Sequence, residues 1–164
     1  MNQAQGAIEA ARAAGAEQFA PREFRGAVDA LQQSERAVTQ KDYRLALSLA
    51  IDSRERAQQA AKVAVDARTN ARGEAERMVA EASMRLTQAR ERLSDPATAR
   101  LPRRTLDQAT LTLDAAQKDM QEARAAMSSD NYVEAKRLAA GATARVQEAL
   151  ATFDKNVSGA GRKR

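Results

Sequence analysis

The sequence has no cysteine, no histidine, no tryptophan and only three prolines in 164 residues. Without cysteine there is no disulfide framework, no thiolate metal site and no thiol nucleophile. Without histidine there is no histidine-based triad and no imidazole metal site. No stretch approaches the roughly 18–20 apolar residues that a membrane-spanning helix needs. The opening Met1-Asn2-Gln3-Ala4-Gln5 lacks the basic start and apolar run of a signal peptide. Bulky apolar residues are also scarce: Leu, Ile, Val and Phe together number 25. Such scarcity accompanies disorder when net charge is high. Here 27 Lys and Arg stand against 22 Asp and Glu, a net charge of only +5.

What the chain does have is alanine, 39 residues of it. Helix formers dominate and strand signals are absent. Apolar spacings of three and four then mark each helix. A first helix is expected over 2–18, with Ala4, Ile8 and Ala11 on one face. Pro21 suits the first position of a second helix, which runs to Thr39 along Phe24, Ala27, Leu31, Ser34 and Val38. Asp42 is the expected N-cap of a third helix, Tyr43 to Leu93. Its seam is almost entirely alanine: Ala46, Ala50, Ser53, Ala57, Ala60, Ala64, Ala67, Ala71, Ala75, then Met78, Ala82, Leu86, Ala89 and Leu93. Two steps of four where three is due rotate the seam, one of them beside Gly73. A fourth helix opens at Pro102 along Leu106, Ala109, Leu113, Ala116, Met120, Ala123 and Met127. Asn131 and Glu134 form the spacing of a capping box for a fifth, reaching about residue 155.

The two halves resemble each other. Lys41-Asp42-Tyr43 and Asp130-Asn131-Tyr132 hold the only two tyrosines, each at a helix start. The expected fold is therefore all-α. Five helices form two elongated three-helix bundles in tandem, sharing one long central helix of about 51 residues. The expected divisions are 1–72, 73–155 and a disordered basic tail over 156–164. Both tyrosines are expected to pack the turn that precedes them.

Much of the positive charge is local. Arg162-Lys163-Arg164 supply three charges, and Arg85, Arg90, Arg92, Arg100, Arg103 and Arg104 outweigh Glu91 and Asp95. These six arginines are the candidate patch for an anionic partner. Elsewhere Asp52 with Arg56, Glu81 with Arg85 and Asp114 with Lys118 are spaced to pair along solvated helix faces. Aromatics make up 3% of the chain, too few for a base-stacking platform. No calcium-type loop or phosphate-binding glycine loop is present. No catalytic, cofactor-binding or metal-ligating residue is expected.

Residues Ala14-Gly15-Ala16-Glu17-Gln18-Phe19-Ala20-Pro21-Arg22-Glu23-Phe24, followed by Lys41-Asp42-Tyr43 and the alanine-stepped helix, carry a family resemblance. The chain resembles the bacterial domain of unknown function found in small envelope lipoproteins, in some relatives ahead of an OmpA-like peptidoglycan-binding domain. The likeness covers residues 4–68 well and the second half loosely. It implies an exported protein of the periplasm, held at the outer membrane by a lipid on a cysteine ahead of Met1. It brings no catalytic residues. The leading expectation is a non-enzymatic helical scaffold or adaptor of the cell envelope that binds protein partners, as monomer or dimer, without a cofactor or small-molecule substrate. It would meet a membrane only through a lipid anchor that this sequence lacks. The alternatives are a cytosolic nucleic-acid-associated helical protein using the arginine cluster and basic tail, and a ligand-sensing bundle.

Overall fold

The structure, a computed structural model, describes residues 1–95 and 101–161, with side chains through 155. Among the described residues six helices follow one another: α1 (Asn2–Ala13), α2 (Ala16–Phe19), α3 (Pro21–Thr39), α4 (Tyr43–Ser94), α5 (Arg103–Ser128) and α6 (Tyr132–Gly161). No strand occurs among the described residues. The fold is all-α around one long central helix of 52 residues. The chain divides into two compact units between Asn70 and Ala71.

In the first unit the expected first helix is broken in two, which makes six helices among the described residues rather than the five expected. Gly15 adopts φ +84°, a left-handed conformation that ends α1 and starts α2. A Cβ there would stand 3.2 Å from the Phe19 ring. Arg12 reaches across this corner, 2.9 Å from Glu17 and 5.6 Å from the centre of the Phe24 ring. Pro21 opens α3.

The buried stripe of α3 is Phe24, Ala27, Ala30, Ser34 and Ala37. Two expected members, Leu31 and Val38, give way to Ala30 and Ala37. The reason is distance. The face of α3 toward α4 carries the smallest side chains, and close approach of two helix axes needs them there. Ser34 donates to the Ala46 carbonyl at 2.7 Å, and Ser53 donates to that of Ala27 at 2.8 Å. Ile8, Ala11, Phe24, Ala57, Ala60 and Ala64 belong to the core of this unit.

α3 ends in a Schellman turn. The Asp42 N–H bonds the Ala37 carbonyl and the Lys41 N–H that of Val38, with Lys41 at φ +62°. Asp42 then caps α4 through its carboxylate, 3.0 Å from the Leu45 N–H. α4 runs unbroken through Gly73, where an added Cβ would meet nothing within 4 Å. Ala67 and Ala71 are only half-buried, and Ala75 resumes the buried seam.

In the second unit Ala82, Leu86 and Ala89 of α4 pack with Leu113, Ala116 and Met120 of α5 and Ala139, Ala142, Val146 and Ala149 of α6. Phe153 closes one end against Leu101 and Ala109. Pro102 stands one place ahead of α5 as its N-cap. The α5–α6 turn copies the first: Asn131 N–H to Ala126 O, Asp130 N–H to Met127 O, Asp130 at φ +58°.

Asn131 caps the Glu134 N–H, but the expected capping box is only half made. The Asn131 N–H already belongs to Ala126, so the Glu134 carboxylate turns to Arg137 instead, at 2.6 Å. The backbone of α6 stays helical to Gly161, past the expected end at 155. The basic residues Arg162, Lys163 and Arg164 of the expected tail lie outside the described residues.

Candidate functional site

The arginine cluster meets carboxylates. Arg85 lies 2.6 Å from Glu81, Arg90 lies 3.2 Å from Asp114 of α5, and Arg92 lies 3.0 Å from Asp154 of α6. Arg103 and Arg104 are exposed at the start of α5 and make no ion pair among the described residues. Arg100 lies outside the described residues. Asp114 therefore faces Arg90 across helices instead of Lys118 along its own, and Lys118 stands 3.9 Å from Glu122. The shallow depression beside Arg90 is also lined by Glu91 and Asp95. Arg56 pairs with Asp52, as its spacing predicts.

Several ionisable groups of the described residues are shifted by their neighbours. Arg56, Arg72 and Arg137 are raised, first by hydrogen bonds to Asp52, Glu76 and Glu134 respectively. Glu74 and Glu134 are lowered, first by hydrogen bonds from Lys136 and Arg137. These shifts favour the charged form, the opposite of what tunes a general acid or base toward neutrality. Among the described residues no acidic cluster is grouped to hold a metal ion, and no helix is long and apolar enough to cross a membrane.

The other unusual surface is apolar. Tyr43 is 66% exposed, Leu47 64% and Ile51 42%. Steps of four put all three on one stripe of α4. Val38, also exposed, stands on the stripe of α3 that carries the core-packed Val28 and Leu31. Alongside runs a groove between the first turn of α1 and α4, lined by Met1, Ala4, Leu47, Ala50, Ile51 and Arg54 among others. One nitrogen of Arg54, Nη1, donates to Gln3 at 3.1 Å, while its buried Nε has no partner.

Tyr43 thus departs from expectation. Tyr132 is 3% exposed, and its hydroxyl donates to Asp130; Tyr43, at the same place in its own helix, faces solvent. Its exposure follows from what lies over it. Gln3 of α1 is level with Arg54, so the first turn of α1 lies beyond Tyr43. The apolar stripe was readable in the sequence as Tyr43, Leu47 and Ile51, but the alanine seam beside it has the stronger periodicity.

No curated protein and no solved structure matches this chain. Residues 1–78, which carry the first unit and the apolar stripe, match the family described as Domain of unknown function (DUF4398).

Proposed function

We propose that this protein is a non-enzymatic helical scaffold of the bacterial cell envelope that holds a protein partner against its first unit. The observation that carries the reading is the stripe Tyr43, Leu47 and Ile51, large apolar side chains left in water beside an otherwise alanine-packed core. Contiguous exposed apolar surface of this kind marks interaction sites. The three paired arginines support it from the other side, since their charge is already balanced by Glu81, Asp114 and Asp154. The envelope setting and attachment at the outer membrane rest on the resemblance of residues 4–68.

The same reading takes the two units as copies of one helical element. The buried residues Ala46, Ala50, Ser53, Ala57, Ala60 and Ala64 recur 89 positions on as Ala135, Ala139, Ala142, Val146, Ala149 and Phe153. Duplication of a non-catalytic helical element extends a surface, which is what a scaffold uses.

Photo-crosslinking in cells tests this reading. A benzophenone amino acid placed in turn at Tyr43, Leu47 and Ile51, all exposed, is expected to capture a defined envelope protein. The reading is overturned if no position captures one and the full-length protein fractionates with the cytosol.

A further inference from the structure

The chain makes a similar hairpin twice. α3 runs into α4, and α5 into α6, through the same Schellman turn. The buried alanines beside the two turns also agree. Ala27 with Ala46, Ala50 and Ala60 in the first hairpin answer to Ala116 with Ala135, Ala139 and Ala149 in the second, 89 positions on. Alanine meeting alanine does not by itself distinguish α3 on α4 from α3 on α6. Wrong pairing of this kind is a characteristic failure of chains that repeat an element. Val146 and Phe153 replace Ala57 and Ala64, but only further from the turns.

Beside the alanine seam the charges differ. Arg56 and Arg145 hold matching positions, and each meets a carboxylate. Arg56 takes Asp52 from its own helix, with Nε 2.9 Å from Oδ1. Arg145 takes Asp119 from α5, with Nε 2.7 Å from Oδ2. The other positions are exchanged to suit. Gly141 stands where α4 has Asp52, and Ala30 stands where α5 has Asp119. Asp119 lies over Gly141, where an added Cβ would be 3.5 Å from its Oδ2. The Asp119 side chain is only 17% exposed, so its charge is partly shielded from water.

We propose that this exchange, Asp52 with Ala30 against Gly141 with Asp119, assigns each hairpin helix its own partner as the chain folds. Native pairing gives each of the two arginines one of these carboxylates. Crossed pairing gives Arg56 two and Arg145 none. α5 laid on the start of α4 brings Asp119 over Asp52, which carries its carboxylate from the very Cβ that Gly141 lacks. α3 laid on α6 offers Arg145 only Ala30. Both wrong pairs thus carry an unmatched charge, and neither native pair does. The proposal rests on the likeness of the two hairpins and is independent of the envelope setting and of any partner.

Variants of the full chain test it. Gly141→Asp gives the second hairpin both carboxylates, and its urea midpoint is expected to fall below that of Gly141→Ala. Adding Asp119→Ala is expected to restore the midpoint, the new carboxylate pairing Arg145 as Asp52 pairs Arg56. This double variant gives both hairpins one arrangement, so it keeps stability and loses discrimination. Ala30→Asp with Asp52→Gly does the same in the other direction.

Crossing is read by a disulfide, since the sequence has no cysteine. Ser34 natively donates to the Ala46 carbonyl at 2.7 Å, and Ala135 holds the matching position of α6. Ser34→Cys with Ala135→Cys therefore reports α3 lying on α6. Each background is refolded from urea in a glutathione redox buffer, and the crosslinked fraction is measured by mass spectrometry of a protease digest. Both double variants are expected to give about tenfold more crosslink than the unaltered background. Equal crosslinking in all three overturns the proposal and leaves the sorting to Val146 and Phe153. Gly141→Asp no less stable than Gly141→Ala also overturns it, as does failure of both double variants to fold.

Discussion

The hydroxyl of Ser53 donates to the carbonyl oxygen of Ala27 across 2.8 Å, while Ser34 returns the same bond from α3 to Ala46 on α4 at 2.7 Å. Both serines are fully buried. The pair ties two helices together at two levels, each helix giving one donor and one acceptor. The matching positions of the second unit hold Ala142 and Ala123, buried without a hydroxyl. Alanine is therefore tolerated by the geometry, and only the hydrogen bond is lost. Ser53→Ala and Ser34→Ala are each expected to lower stability by about 1 kcal/mol, measured by urea unfolding.

Two glycines of the chain respond in opposite directions to alanine. Gly73 lies inside the continuous α4 with open space where a Cβ would stand. Gly73→Ala is expected to stabilise the protein by roughly 0.5–1 kcal/mol, the usual helix-interior difference. Gly15 holds φ +84° with Phe19 close by. Gly15→Ala is expected to cost at least about 1 kcal/mol from the left-handed backbone alone. A pair of thermal melts reads both signs.

The carboxylate of Glu74 is held below its ordinary value of 4.5, first by the hydrogen bond from Lys136 and then by that residue's charge. Glu134 is held down in the same way by Arg137. Each binds fewer protons folded than unfolded near that value. The stability they add is present above about pH 4.5 and is lost as pH falls through the lower folded values. Lys136→Gln is therefore expected to destabilise the protein at pH 7, with the difference vanishing in acid. Denaturant titrations of both proteins at neutral and acid pH check this. A mutational effect that persists undiminished in acid contradicts the assignment.

The alanine seam sets how close the helices come, so enlarging it is expected to be costly wherever it is buried. Ala60 has no exposed surface, while Ala67 is half-buried between the two seam stretches. Ala60→Leu is expected to destabilise by about 1–3 kcal/mol or more through overpacking. Ala67→Leu is expected to fall within about 0.5 kcal/mol of the parent.

Helix existence and the long α4 were legible because alanine steps of three and four run through them without interruption. What the sequence concealed depends on distance between helices. Leu31 and Val38 look like better core residues than Ala30 and Ala37, yet the closest contact selects the smaller side chain. Glu134 has the right spacing for a capping box, but the preceding turn had already taken the Asn131 N–H. The arginine cluster was visible as a window of positive charge. Its partners Asp114 and Asp154 lie on other helices, where a window along the chain does not see them. Tyr43 and Tyr132 share a sequence setting, and only the helix laid over one of them separates their fates.

Alanine has no side-chain rotamers to freeze, so each buried seam position orders backbone alone. Leucine in its place would contribute more apolar surface and lose conformational freedom in return. A chain that packs through alanine thus folds on many small contacts, each nearly free of side-chain entropy loss. Its vulnerability is correspondingly distributed. The large side chains of the first unit's core, Phe24 and Ile8, each keep 6% exposure, while Phe153, Leu113 and Met120 of the second keep 1%. The first unit is therefore the one expected to open first in native-state hydrogen exchange.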